Sequence, residues 1–257
     1  MRTHENRLLE AGKPVDVHQM RVAIRRMRAA VDVFAPLLPA EKWLRQGLKR
    51  TARALAPVRD LDVLMERLQS LDFPLHDAIE ELGSQRQAAY KAFQAYAASK
   101  KYRKFNKRFN GFLEQPAPEA TLLLSHMVAS SLYTRYEAIR AYETMLNDPE
   151  PETLHDLRIA CKRLRYTLRF FDPVLGTRAS AVRHLMRRTQ DHLGALNDAH
   201  VGQEIVAQYI ADPATRDRIA GQFKQQADTL IEEFPSLWAE IVSPQTRLKL
   251  ALAVSVV

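Results

Sequence analysis

The pattern His-x-x-Arg-x-x-x-Arg/Lys-Arg-x-Arg occurs twice in this chain of 257 residues, with identical internal spacing and an offset of 137. The first copy is His18, Arg21, Arg25, Arg26 and Arg28; the second is His155, Arg158, Lys162, Arg163 and Arg165. Apolar positions repeat with the charges: Ala23 matches Ala160, Phe34 matches Phe171, Pro36 matches Pro173 and Leu38 matches Leu175. One inserted residue then moves the offset to 138, where Arg45 matches Arg183, Arg50 matches Arg188, Thr51 matches Thr189 and Asp60 matches Asp198. A period this long points to a duplicated half-domain, not to a solenoid of short repeats. Each half of a hundred residues or more is long enough for its own core.

The repeats read as helices. Taking His18 as zero and turning about 100° per residue, Arg21, Arg25 and Arg28 fall on one stripe. Met20, Ile24, Met27, Val31 and Phe34 gather on the opposite side. In the second copy Leu157, Cys161, Leu164, Leu168 and Phe171 take the core places, and His155, Arg158, Lys162, Arg165 and Arg169 form the stripe. The motif helices are expected from about Val17 to Phe34 and from about Leu154 to Phe171, with Asp16 and Thr153 as N-caps. Pro36 and Pro173 end them. Second helices follow over about Arg45–Ala56 and Arg183–Leu196, with Asp60 and Asp198 as caps of the next ones or as partners of stripe arginines. Further helices are expected from Asp60 to Leu71, Leu75 to Ala97, Tyr102 to Leu113 and Thr121 to Leu146. No period-2 run suggests a strand, and only 8 glycines favour an all-α fold. Breakers at Asn147-Asp148 and a seam at Gln115-Pro116-Ala117-Pro118 divide the chain into halves 1–115 and 119–257 of one domain, 1–257. The first half has room for about two turns before Gly12, so its first helix is expected to be truncated.

The stripes carry the function. An idle solvated face is the simplest account of one basic run, but no acid stands between His18 and Arg28. Helices normally place Glu one turn from Lys or Arg, and here the repulsion is repeated. The second helices add Arg45, Lys49 and Arg50, and Arg183, Arg187 and Arg188. With a net charge of +8, the pattern points to an extended polyanion. The run Lys100 to Arg108 interleaves Tyr102, Phe105 and Phe109 at helical spacing, which reads as core and not as base-stacking surface. A single cysteine forms no internal disulfide. Cys161 sits on a core face, and His184, His192 and His200 turn away from one another, so neither a nucleophile nor a metal site is expected. No membrane span or leader is evident, and the reading is a cytoplasmic protein.

These twin helices, in an all-α basic chain of this length, resemble the CHAD family, the conserved histidine α-helical domain. The likeness covers nearly the whole chain and is strongest over His18 to Phe34 and His155 to Phe171. It implies two helical bundles related by a pseudo-two-fold axis, a basic groove or pore between them, and binding of inorganic polyphosphate. Carried over by position, His18, Arg21, Arg25, Arg28, His155, Arg158, Lys162 and Arg165 are the implied phosphate ligands; Lys162 departs from the arginine found at Arg25. The expected activity is binding without catalysis, with no cofactor and no catalytic residue. The alternatives are a nucleic-acid-binding domain and an accessory domain of an enzyme acting on phosphate chains. Association with polyphosphate granules follows from the lead reading.

Overall fold

The computed structural model describes every residue except 1, 39–41, 72–74, 117–122, 147–148 and 256. The chain forms two compact units, Met1–Ala120 and Thr121–Val257, and the described residues contain helices and turns but no strand.

The first unit holds α1 (Arg2–Ala11), α2 (Pro14–Val33), α3 (Lys42–Gln69), α4 (His76–Ala98) and α5 (Lys100–Glu114). Gly12 ends α1 at a φ of 59°, a left-handed conformation that suits glycine. Its surroundings demand glycine too, because an added Cβ would lie 2.5 to 2.9 Å from the Tyr90 ring. The Tyr90 hydroxyl donates to the Leu8 carbonyl at 2.6 Å, which fixes α4 against the end of α1. Leu8, Val17, Met20, Ile24, Leu48, Leu55, Val58 and Phe93 fill the core, with Tyr102, Phe105 and Phe109 entering from α5.

The second unit holds α6 (Leu124–Arg140), α7 (Pro151–Phe170), α8 (Asp172–Leu175), α9 (Ser180–Tyr209), α10 (Pro213–Val242) and α11 (Pro244–Val254), with 3-10 turns at Glu143–Met145 and Gly176–Ala179. Leu132, Leu157, Cys161, Leu164, Leu193, Val206 and Ile241 are buried. The Tyr136 hydroxyl donates to the Ile241 carbonyl at 2.8 Å, joining α6 to the end of α10.

Several sequence expectations change. The motif helices start earlier, at Pro14 and Pro151, and neither Asp16 nor Thr153 is a cap. Proline is favoured in the first turn because the N–H it lacks would have no intrahelical acceptor there. Asp16 instead lies in the first turn of α2, where a carboxylate suits the positive helix end. The second helices do not end near Ala56 and Leu196. α3 runs on through Pro57, because Leu55 and Val58 on either side are fully buried and their packing outweighs one lost backbone hydrogen bond. α9 is likewise continuous, so Asp60 and Asp198 stand inside helices and cap nothing. The helix expected from Thr121 to Leu146 stops at Arg140 and is followed by a 3-10 turn; residues 121–122 lie outside the described residues, as do Asn147, Asp148, Ala117, Pro118 and position 119.

Candidate functional site

α2 and α7 are both 20 residues long, and their bounds differ by the same 137 positions that separate the sequence motifs. The first helix buries Val17, Met20 and Ile24. Met27 and Val31 pack partly buried against the same cluster. The second buries Leu157, Cys161, Leu164 and Leu168 completely. Burial on one side leaves the other to the cations. His18, Arg25 and Arg28 are exposed and Arg21 is half-buried; His155 and Arg169 are exposed, and Arg158, Lys162 and Arg165 half-buried. Each stripe, from His18 to Arg28 or from His155 to Arg165, extends about 15 Å along its helix.

His18 opens into a cleft of about 550 Å³ lined by Val15, Arg59, Asp62, Glu66 and Arg86. Its imidazole is held below the ordinary histidine value, first by desolvation and then by the charges of Arg59 and Arg25; Glu66 opposes the shift and Arg21 adds to it. Arg21 is also lowered, by burial foremost, with Asp60 opposing and Arg25 and Arg59 adding. It remains a cation at any physiological pH. Asp60 and Glu66 of α3 therefore supply acids that the stretch from His18 to Arg28 lacks. Asp60 acts on Arg21 through its charge, and among the described residues no ion pair joins the two.

Arg59 belongs to this cluster and was not singled out by the repeat. Its counterpart 138 positions on is Asn197, so a search for matching cations passes over it. The cleft wall is an ion pair: Arg86 Nε donates to Asp62 Oδ1 at 2.5 Å, and its Nη2 donates to the Gly12 carbonyl at 2.8 Å. Nothing local in sequence marks that pair.

In the second unit Arg165 lies over the Tyr166 ring, 5.5 Å from its centroid. Its Nε is buried and has no hydrogen-bond acceptor among the described residues. Arg169 stands in the last turn of α7, where a cation meets the negative helix end.

The second-helix cations divide. Arg45 pairs with Asp32 and Arg183 with Asp172. Arg188 pairs with Glu240 at 2.7 Å, and Arg187 lies 3.6 Å from Asp191. These four therefore engage acids of their own unit. Lys49 is exposed and Arg50 half-buried. Cys161 is fully buried, and burial pushes its thiol up to about 12. His192 bonds the Leu230 carbonyl at 2.8 Å and stacks on Phe234, as a packing residue would. Among the described residues no group of three or more His, Cys, Asp or Glu is placed to hold a metal ion, and no helix is long and apolar enough to cross a membrane.

The CHAD domain model matches residues 1–207, which include both stripes. The chain belongs to the CHAD family. Among solved structures, the crystal structure of the CHAD domain from the plant Ricinus communis is similar, with a TM-score of 0.71 and 22% identity. The match covers 97% of this chain and 86% of that one. It extends the CHAD likeness in fold into α10 and α11, beyond the family match. No curated protein matches the chain.

Proposed function

We propose that this CHAD protein binds inorganic polyphosphate through the exposed faces of α2 and α7, and that it does so without transforming its ligand. One observation carries the reading: the same His/Arg/Lys register stands on two helices of equal length, each with its opposite side buried. An internal duplication accounts for that correspondence. Polyphosphate offers a dense row of anionic oxygens and no bases to read. Cations spaced along a rigid helix suit it, and the arginine fork can give two hydrogen bonds to one phosphate. His18, Arg21, Arg25, Arg28 and Arg59 serve in the first unit, and His155, Arg158, Lys162, Arg165 and Arg169 in the second. Lys49 and Arg50 extend the first face, whereas Arg45, Arg183, Arg187 and Arg188 act first as structural ion pairs. A buried thiol raised to about 12 is the reverse of an activated nucleophile. On this reading the protein works in the cytoplasm, where polyphosphate granules would recruit it.

The test is competition between labelled polyphosphate and RNA or single-stranded DNA of matched charge. Polyphosphate should win, and log affinity should fall linearly with log salt, by about 0.7 per phosphate neutralised by analogy with single strands. Arg21→Glu and Arg158→Glu should each weaken binding, and the double variant should abolish the share of binding made by α2 and α7 with helix content unchanged. Preference for RNA, or affinity indifferent to salt, overturns the reading.

A further inference from the structure

α5 carries Lys100, Lys101, Arg103, Lys104, Lys107 and Arg108 and no acid before Glu114. At about 100° per residue these six cations occupy one half of the helix and Tyr102, Phe105, Phe109 and Phe112 the other. The aromatic half is core: Tyr102, Phe105 and Phe109 are 2%, 5% and 8% exposed. All six cations are exposed. They lie outside the repeated motif.

The surface they form is shaped. Arg108 lies over the Trp43 ring of α3, 4.3 Å from its centroid. Trp43 is in turn braced by Phe105 and Phe112, at 6.1 and 6.2 Å between centroids. A concavity of about 470 Å³ opens there, lined by Trp43, Lys104, Lys107, Arg108, Phe112 and Gln115. Gly111 also lines it, and a Cβ added there would meet nothing within 4 Å. The Trp43 indole Nε1 is buried with no acceptor among the described residues. None of the ion pairs of the described residues involves Lys104 or Lys107.

We propose that this face of α5, with Arg108 held on Trp43, is a second and separate contact for a linear phosphate chain. Stacking on an indole fixes a guanidinium that would otherwise lose rotamer freedom on binding. Lys104 and Lys107 flank it as mobile point charges. A base-bearing strand would need an open aromatic face; here Tyr102, Phe105 and Phe109 are buried, Phe112 is half-buried with its ring edge-on to Trp43, and Arg108 covers Trp43. That favours a ligand made of phosphate alone. The inference rests on the polyphosphate reading for its ligand, but not on α2 or α7 for its residues.

The chain has two tryptophans, so Trp238→Phe leaves Trp43 as the reporter. In that background, Trp43 emission should change saturably on titration with sodium polyphosphate, and should still do so with Arg21→Glu and Arg158→Glu added. Lys104→Glu with Lys107→Glu should remove the response and make the salt slope shallower by about 1.4, two contacts at about 0.7 each. Lys104→Gln with Lys107→Gln repeats the measurement should charge reversal disturb α5. Should the parent bind polyphosphate while the lysine variants keep its affinity and slope and Trp43 stays silent, the α5 site is refuted and the α2 and α7 reading stands. No binding by the parent refutes both. Tighter binding of single-stranded RNA than of polyphosphate at Trp43 refutes the base-free ligand.

Discussion

Arg86→Met tests the cleft wall beneath His18. In the native protein the Asp62 side chain is 1% exposed and that of Arg86 15%. Asp62 Oδ2 is already without a hydrogen bond among the described residues, so Arg86 Nε supplies the one at Oδ1. Methionine keeps much of the arginine stem but removes that donor and the bond to the Gly12 carbonyl. Removing one member of a buried pair leaves an uncompensated charge and costs about 3 to 5 kcal/mol. The lost bond to Gly12 adds about 1 kcal/mol or less. A loss near 4 kcal/mol is a large share of the roughly 5–15 kcal/mol that stabilises a domain. The assay is urea unfolding of the Trp238→Phe protein followed by Trp43 fluorescence, which reports the first unit alone. Replacing both members, with Asp62→Leu added to Arg86→Met, should recover most of the loss, to within about 1–2 kcal/mol of the parent. A single variant costing under about 1 kcal/mol, or a double variant no better than the single, would refute the argument that a stranded carboxylate is the penalty.

Further outcomes concern His18, Cys161 and Gly47. Because the folded state holds His18 below its ordinary value, the unfolded chain takes up its proton first as pH falls; stability is lost below about pH 6.5, and His18→Gln should flatten that acid-side decline in unfolding midpoints. On the proposed function, bound phosphate reverses the sign, so calorimetry in buffers of different ionisation enthalpy should show proton uptake on binding around pH 6.5, smaller in His18→Gln and absent when His155→Gln is added. Cys161, buried and pushed up to about 12, should react with a thiol reagent at pH 8 only at the rate of unfolding; rapid native labelling would place it elsewhere. Gly47→Ala would drive a Cβ into the buried Phe105 ring; overpacking of about 1–3 kcal/mol should exceed the gain of up to about 1 kcal/mol in helix propensity, lowering the melting temperature, whereas a rise would mean that the ring yields freely.

The sequence carried what is local and periodic. Two stripes at one offset placed α2 and α7, and the apolar positions between the charges named Met20, Ile24, Leu157 and Cys161 as core. Phe105 and Phe109 were legible as core for the same reason. What depends on distant neighbours was hidden. Pro57 reads as a break until Leu55 and Val58 are seen fully buried around it. Asp60 reads as a cap until α3 is continuous and brings it beside Arg21. Arg45 reads as one more free cation, yet Asp32, 13 positions earlier, engages it. Arg86 and Asp62, 24 positions apart, carry no motif at all.

The acid-free run along α2 also bears on turnover. Arg21, Arg25 and Arg59 crowd together against their own repulsion, and Asp60 and Glu66 offset part of it. A bound polyanion offsets more, and any ligand confined to the folded state adds about 2.7 kcal/mol at a concentration a hundredfold above its dissociation constant. The fraction of chains open to proteases then falls as the ligand accumulates. On the proposed function, a cell holding much polyphosphate would keep more of this protein from unchanged synthesis, and a cell that had spent its reserve would degrade it.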